Sequence, residues 1–478
     1  MPDDIPADRP GAPAPAAAPI PPTPFARHVR RTLVLALPIV VSRAGAMLLI
    51  TTDTLAAGHV GTMELAAIAL GLSPQLVLFM VMMGALQVTV MLAATAQGEG
   101  RPERIGAVLV TAILHAFVLG LLTIPLAFLS EAFFLGMGQE PQLAAEAGAV
   151  AITYVWGVPG FMAFLVTAMV IETAGKPAVA TAMILAANAL NIGLDALLVN
   201  GLFGVFPETG AVMATATTSV LRWGLMLAAF AYVLVLARRR GDPWRLLPAL
   251  RNIGNQLRTA GGENGRIMRR LGLPMGLAQG VESAAFNTLV MMAGLIAPAV
   301  LAAHQATMTA VTLSYMTAVG FAGAAAIRVG NALGARNAAD VRRAAWTAIG
   351  FGGGTALVSG LLLFTLPRQI APLLASDPAL LGPLADALRV AGVVVIFDSM
   401  MGVSLGVLRG VGDAWRPLIL QCLAFWLVAI PVAWLCTLRL DLGAAGLQIA
   451  ILSGVAVSFL LLALRIVDRT RHLPGVAR

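Results

Sequence analysis

The sequence predicts an all-α membrane protein of twelve transmembrane helices in two six-helix lobes, related by a pseudo-twofold axis along the membrane normal. Three observations carry that prediction. The 478 residues are 59% hydrophobic and only 11% charged, with a mean hydropathy of +0.88, far more apolar than a soluble domain. The apolar residues fall in repeated runs of about 20 to 28, the length a helix needs to cross about 30 Å of hydrocarbon, without the alternation of a β-barrel. Short motifs of the first half recur in the second, as in chains built from an internal repeat.

Residues 1–26 form a Pro/Ala-rich stretch with Asp3, Asp4 and Asp8. They lack the basic start and apolar core of a secretory signal and read as a disordered cytoplasmic tail. Arg27, His28, Arg30 and Arg31 precede the first apolar run, 33–57. Further runs at 64–96, 105–129, 143–171, 178–200 and 210–237 complete an N-lobe of six helices, residues 27–237. Residues 238–270 are polar and basic, with Gly241-Asp242-Pro243 and Gly261-Gly262-Glu263-Asn264-Gly265 as turn signals, and read as a cytoplasmic linker. Runs at 271–296, 301–332, 341–366, 380–408, 416–438 and 443–467 make a C-lobe, residues 271–467. Residues 468–478 are then a cytoplasmic C-terminal tail.

Basic residues collect after the even-numbered runs, at Arg101 and Arg104, Lys176, Arg238 to Arg240, Arg336, Arg342 and Arg343, Arg416, Arg469 and Arg471. The opposite loops carry Glu64, Glu131, Glu140, Glu146 and Glu208, with Arg368 and Arg439 as exceptions. By the positive-inside rule both termini are cytoplasmic. The net charge of +8 therefore records topology rather than nucleic-acid binding, since no aromatic-laced basic patch occurs. Cys422 and Cys436 share one apolar run and imply neither a disulfide framework nor a zinc site.

The repeat has a register. Leu35-Ala36-Leu37-Pro38 matches Leu271-Gly272-Leu273-Pro274, Ala57-Gly58 matches Ala293-Gly294, Leu65-Ala66-Ala67 matches Leu301-Ala302-Ala303, and Gly98 matches Gly334. Each half holds an even number of runs, so the second enters the membrane in the same sense as the first, and the axis follows the membrane normal with a cavity between the lobes.

A carboxylate within an intramembrane run is costly and is by default a functional group. Asp53 lies near the outer end of the first run among Thr51, Thr52 and Thr54; Asn191 and Asp195 lie four apart, on one face of the fifth helix. The sixth adds Thr215, Thr217, Thr218 and Ser219. Carboxylates, an amide and a hydroxyl on three helices suit sodium or a proton relay. Glu282 in the seventh run and Asp398 in the tenth are further acids, while Leu289 takes the place of Asp53 in the second half.

Several motifs together resemble the multidrug and toxic compound extrusion (MATE) transporters, in their NorM-like branch. They are Thr52-Asp53-Thr54 followed by Ala57-Gly58-His59-Val60-Gly61; Asn191-Ile192-Gly193-Leu194-Asp195; Ala302-Ala303-His304-Gln305; Arg328-Val329-Gly330-Asn331-Ala332-Leu333-Gly334; and Leu408-Arg409-Gly410-Val411-Gly412-Asp413. The resemblance implies a two-lobed antiporter that expels organic cations or drugs in exchange for sodium ions or protons. It places an N-lobe ion-coupling site on Asp53, Asn191, Asp195 and Thr217, and C-lobe acids for cation or substrate on Glu282 and Asp398. It implies no cofactor beyond the coupling ion. The expected partners are small cationic substrates and membrane lipids, and the expected state is a monomer in a bacterial-type inner membrane.

Arg43 stands where the family commonly has Gln, as the second half does at Gln279. Read simply, it snorkels toward the cytoplasm. The sharper expectation is an interlobe pair, in one access state, with Glu282, whose register equivalent is Ala46. Arg222 is a second mid-span cation with no assigned partner. Two alternatives remain at this stage. A lipid-linked oligosaccharide flippase would call for a basic cavity, and a membrane-embedded enzyme for a nucleophile with a base or for paired metal ligands; neither signature is present.

Overall fold

The computed structural model describes residues 25–201, 209–375 and 377–472. The N-terminal tail up to residue 24, Glu208 and residues 473–478 of the C-terminal tail lie outside the described residues. Among the described residues every regular element is helical. The N-terminal half comprises α1 (Phe25–Val60), α2 (Thr62–Gly98), α3 (Ile105–Ala127), α4 (Pro141–Thr173), α5 (Pro177–Val199) and α6 (Ala211–Arg239). The C-terminal half comprises α7 (Gly262–Ile296), α8 (Pro298–Gly334), α9 (Ala338–Thr365), α10 (Pro378–Gly410), α11 (Trp415–Thr437) and α12 (Gly443–Arg471). Eleven of these are long and apolar enough to cross a membrane. The twelfth, α7, is less apolar because Gln279, Glu282, Ser283, Asn287 and Thr288 interrupt it.

Two boundaries differ from the apolar runs for one reason: a helix does not end where its lipid-facing stretch ends. Gly261, at φ 81°, starts α7 before Glu263, Arg266, Arg269 and Arg270. At the other end of the chain α12 continues through Arg465 and Arg469, which Asp413 holds at 2.7 and 3.5 Å. The expected linker is itself partly helical, at Leu246–Arg251 and Ile253–Arg258. Asp242 accepts hydrogen bonds from the Leu246 and Leu247 amides at 2.7 and 2.8 Å, so two donors at a helix start are satisfied. Trp244 and Leu246 then pack with Ile105 and Leu109 of α3.

Each half is built around one enclosed helix. Of the most apolar windows, 94% of that in α4 and 72% of that in α10 is buried, which makes these the two central helices. Helix α4 packs on α2, α3 and α6, and α10 packs on α8, α9 and α12. That is the same arrangement repeated, since each partner in the second half follows its counterpart by six helices.

The halves touch reciprocally. A Cβ added at Gly98 would meet the Asn331 carbonyl oxygen at 2.0 Å, and one at Gly334 would meet that of Thr95 at 2.2 Å. Gly98 and Gly334 are equivalent in the repeat register, as are Thr95 and Asn331, so this is one contact made twice about a pseudo-twofold axis. Gly84 against Met275, Gly276 against Val81 and Gly320 against Val40 continue the seam. Close backbone approach of this kind requires small residues, which accounts for glycines in the Arg328 to Gly334 motif. The seam joins the C-terminal halves of α2 and α8 to each other and to the N-terminal halves of α7 and α1, and so lies at the end of the bundle that carries Arg101 and Arg336.

Candidate functional site

Helices α1 and α5 run side by side and are joined by side chains of α5. Thr181 donates to the Pro38 carbonyl at 2.7 Å, Asn188 to that of Gly45 at 2.9 Å, and Asn200 to that of Ala56 at 3.0 Å. This stitching sets the register at which Asn191 meets Asp53. A π-helical segment, Asp195–Val199, closes α5; such widened turns recur at functional positions.

The structure brings together all four residues expected for the N-lobe site. Asn191 Nδ2 lies 2.9 Å from Asp53 Oδ1, 2.9 Å from Asp195 Oδ2 and 2.7 Å from Thr52 Oγ1. Its two hydrogens can serve both carboxylates at once. Thr217 donates to Asp195 Oδ1 at 2.9 Å. Thr218, one position on, lies 2.6 Å from Asp53 Oδ1 and 2.7 Å from Asn191 Oδ1. Asp53 is 1% exposed. Thr215 turns away to Thr153 at 2.6 Å. Asp53 and Asp195 also lie within hydrogen-bond reach of each other, so the two acids can share a proton.

Such a set, two carboxylates with neutral oxygens and an amide, is suited to a proton or a hard monovalent cation. Among the described residues no three His, Cys, Asp or Glu side chains gather as a metal site.

The second half holds a different cluster in the equivalent pair of helices. Glu282 on α7 accepts from Gln421 Nε2 of α11 at 3.1 Å. Gln421 lies two residues before the π-helical stretch of α11, Leu423–Ala429, and Asn191 lies four before that of α5. Asp398 on α10 is buried, and its Oδ1 has no hydrogen-bond partner among the described residues. Glu282, Asp398 and Arg409 interact electrostatically with Tyr315 of α8. Leu289, in the register position of Asp53, is packed in the core of the second half. His304 is fully buried against Gln448 of α12 at 3.4 Å. The groove along α9 lined by Arg342, Arg343, Trp346 and Phe351 contains none of these acids.

The expected pairing of Arg43 with Glu282 is not what the structure shows. Arg43 Nη2 lies 3.1 Å from Glu172 Oε2 on α4, within its own half. The partner is close because α4 is the enclosed helix of that half, a neighbour that the repeat register does not reveal. Spacing singles out neither Glu172 nor Asn188, and it offers Thr218 only as one of four hydroxyls on the sixth helix.

The family model MatE matches residues 38–197 and 274–435, one segment in each half, starting at the equivalent Pro38 and Pro274. This chain belongs to the MatE family. MatE members are membrane transporters rather than enzymes, and the NorM-like resemblance agrees with the relatives. A probable multidrug resistance protein NorM of Caulobacter vibrioides is 30% identical over 442 residues, covering 91% of this chain and 90% of that protein. One of Bradyrhizobium diazoefficiens is 30% identical over 450 residues, covering 93% and 94%. The fold is that of solved MATE structures. The eukaryotic transporter AtDTX14 superposes with a TM-score of 0.82 at 21% identity, covering 94% of this chain and 98% of that one. A multidrug resistance MATE family transporter in an outward-facing conformation gives 0.81 at 21%, covering 94% and 97%.

Proposed function

We propose that this MatE transporter is a secondary antiporter that exports organic cations or drugs in exchange for sodium ions or protons by alternating access of its lobes. The observation that carries the reading is the Asn191 amide bridging two buried carboxylates from different helices. The NorM-named relatives, called multidrug resistance proteins, support the cargo class.

With both termini cytoplasmic, as the arginine distribution implies, the glycine seam closes the cytoplasmic end. Asp53 lies thirteen residues beyond Val40 on α1, about 20 Å along the helix, and faces the external side. In this reading a cation from outside reaches Asp53, cancels its charge and changes the bonding between α1, α5 and α6. The filled and empty sites then favour different lobe arrangements, as differential affinity requires. Glu282 and Asp398 outnumber Arg409 in the other lobe and suit a small cationic cargo. The protein works as a monomer among the lipids of a bacterial plasma membrane.

Efflux of ethidium from proteoliposomes, with sodium and proton gradients imposed separately, tests this proposal. Transport driven by at least one gradient, and lost in Asp53→Asn, is the expected result. Gradient-driven efflux at the wild-type rate in Asp53→Asn would remove the central role of that carboxylate.

A further inference from the structure

Among the described residues Arg222 is the largest side chain that is fully buried, at 1% exposure. Aromatic rings of α4 hold it. Its guanidinium carbon sits 4.2 Å from the centre of the Tyr154 ring and 5.3 Å from that of Phe161, with Nη1 at 3.5 Å from the Tyr154 carbonyl. Ring faces within about 6 Å attract a cation without cancelling its charge. Among the described residues Arg222 makes no salt bridge, and its Nε has no hydrogen-bond partner. A buried arginine ordinarily takes a carboxylate; this one keeps its charge uncommitted.

Its position says what that charge acts on. Arg222 lies four residues beyond Thr218 on α6, one turn or about 6 Å along the axis, and Thr218 touches Asp53. The charged groups that act on Asp53 are Asp195 and Arg222. The cluster therefore contains two carboxylates and one fixed cation. With both acids ionised it lacks one positive charge, not two.

We propose that Arg222 is a built-in counter-cation of the coupling site, limiting each filled site to one added elementary charge, delivered as one sodium ion or one proton. The inference rests on the proposed coupling role of Asp53 and names the residue that sets its stoichiometry. Arg222 is a positioning residue: it touches no transported ion, and lowers affinity for the incoming cation so that the site can also release it. The aromatic clasp suits this task, because a guanidinium stacked on rings is held in place while its field still reaches the acids.

The test is a charge count. Trp223, which donates to the Trp156 carbonyl at 2.9 Å, offers an intrinsic fluorescence probe beside the site. Purified full-length protein is titrated with sodium at fixed pH, and with protons in sodium-free buffer. Arg222→Gln is expected to lower the half-maximal cation concentration about tenfold or more, and to raise the charge moved per cycle, read from the reversal potential of ethidium efflux in liposomes. Arg222→Lys keeps both values near wild type. The decisive arm is rescue: Asp195→Asn leaves Asp53 balanced by Arg222 and loses the cation response, and Asp195→Asn with Arg222→Gln regains it. A merely structural arginine would produce no such rescue. If Arg222→Gln does not fold alone, the double variant, whose net buried charge equals that of Asp195→Asn less one, still gives the answer. A wild-type response that Arg222→Gln leaves unchanged, or a double variant that folds and stays silent, overturns the inference while the coupling role of Asp53 stands. No response to either cation in the wild type overturns both.

Discussion

Arg43 on α1 holds Glu172 on α4, Nη2 to Oε2 at 3.1 Å, with Glu172 only 2% exposed and its Oε1 lacking a hydrogen-bond partner among the described residues. Glu172 thus depends on one arginine for its solvation inside the bundle. Removing Arg43 alone strands a buried charge, which costs about 3–5 kcal/mol. Arg43→Leu is expected to lower stability by roughly the small end of that range, because Arg43 itself is 14% exposed. Arg43→Leu with Glu172→Leu should regain most of the loss. Reversible unfolding in mixed micelles measures both, and additive losses in the double variant would show that the pair is not coupled.

Two threonines three residues apart on α6 have different partners. Thr218 reaches Asp53, whereas Thr215 is committed to Thr153. Removing a hydroxyl bonded to a carboxylate costs about 1.5–3 kcal/mol, so Thr218→Val should change the half-maximal coupling-ion concentration by about tenfold or more. Thr215→Val should leave it within about twofold. Fluorescence titration of the two variants side by side decides the matter; equal shifts would mean that the contact to Asp53 is not what matters.

Asn188 and Asn191 occupy the same stretch of α5, yet one bonds the Gly45 carbonyl and the other the acids. Asn188→Ala is expected to cost about 1–2 kcal/mol of stability with gradient-driven efflux retained. Asn191→Ala is expected to lose coupling, since Asp53 and Asp195 then lack their shared donor. Efflux assays and thermal melts on both variants would expose an exchange of these roles.

Gly98 and Gly334 form one contact repeated about the pseudo-axis, and the added Cβ of alanine has no room at either. Overpacking of this kind costs about 1–3 kcal/mol. Gly98→Ala and Gly334→Ala should each shift the protein away from the arrangement with this seam closed, and by similar amounts. Spin-label distances between the ends of α2 and α8 report the shift, and a change in only one variant would contradict the reciprocity of the seam.

The twelve helices were legible because hydrocarbon imposes their length, and the repeat was legible because glycines at the seam cannot vary freely. The acids of the site were legible for the opposite reason: Asp53 and Asp195 stand out against apolar neighbours. What the sequence hid depends on rotation and on neighbours. Thr217 and Thr218 differ by about 100° around α6, and only the packed helix shows that one serves each acid. The partner of Arg43 was hidden because depth in the repeat register pairs lobes and says nothing of α4. Arg222 stood out as a mid-span charge, but rings, which carry no sign in a charge pattern, are what hold it.

The stitches between α1 and α5 have a consequence for how this protein can be compared with its relatives. Thr181, Asn188 and Asn200 bond to carbonyls of Pro38, Gly45 and Ala56, and every amino acid supplies a carbonyl. A substitution at Pro38 or Ala56 leaves the acceptor in place, whereas a Cβ at Gly45 would crowd Ile184 at 3.1 Å and Asn188 at 3.4 Å, so the partnership constrains the donors of α5 by chemistry and α1 only by size, at Gly45. Correlated substitution between the two helices would therefore be weak where they are most firmly joined, and strong where Asn191 meets Thr52 and Asp53 side chain to side chain.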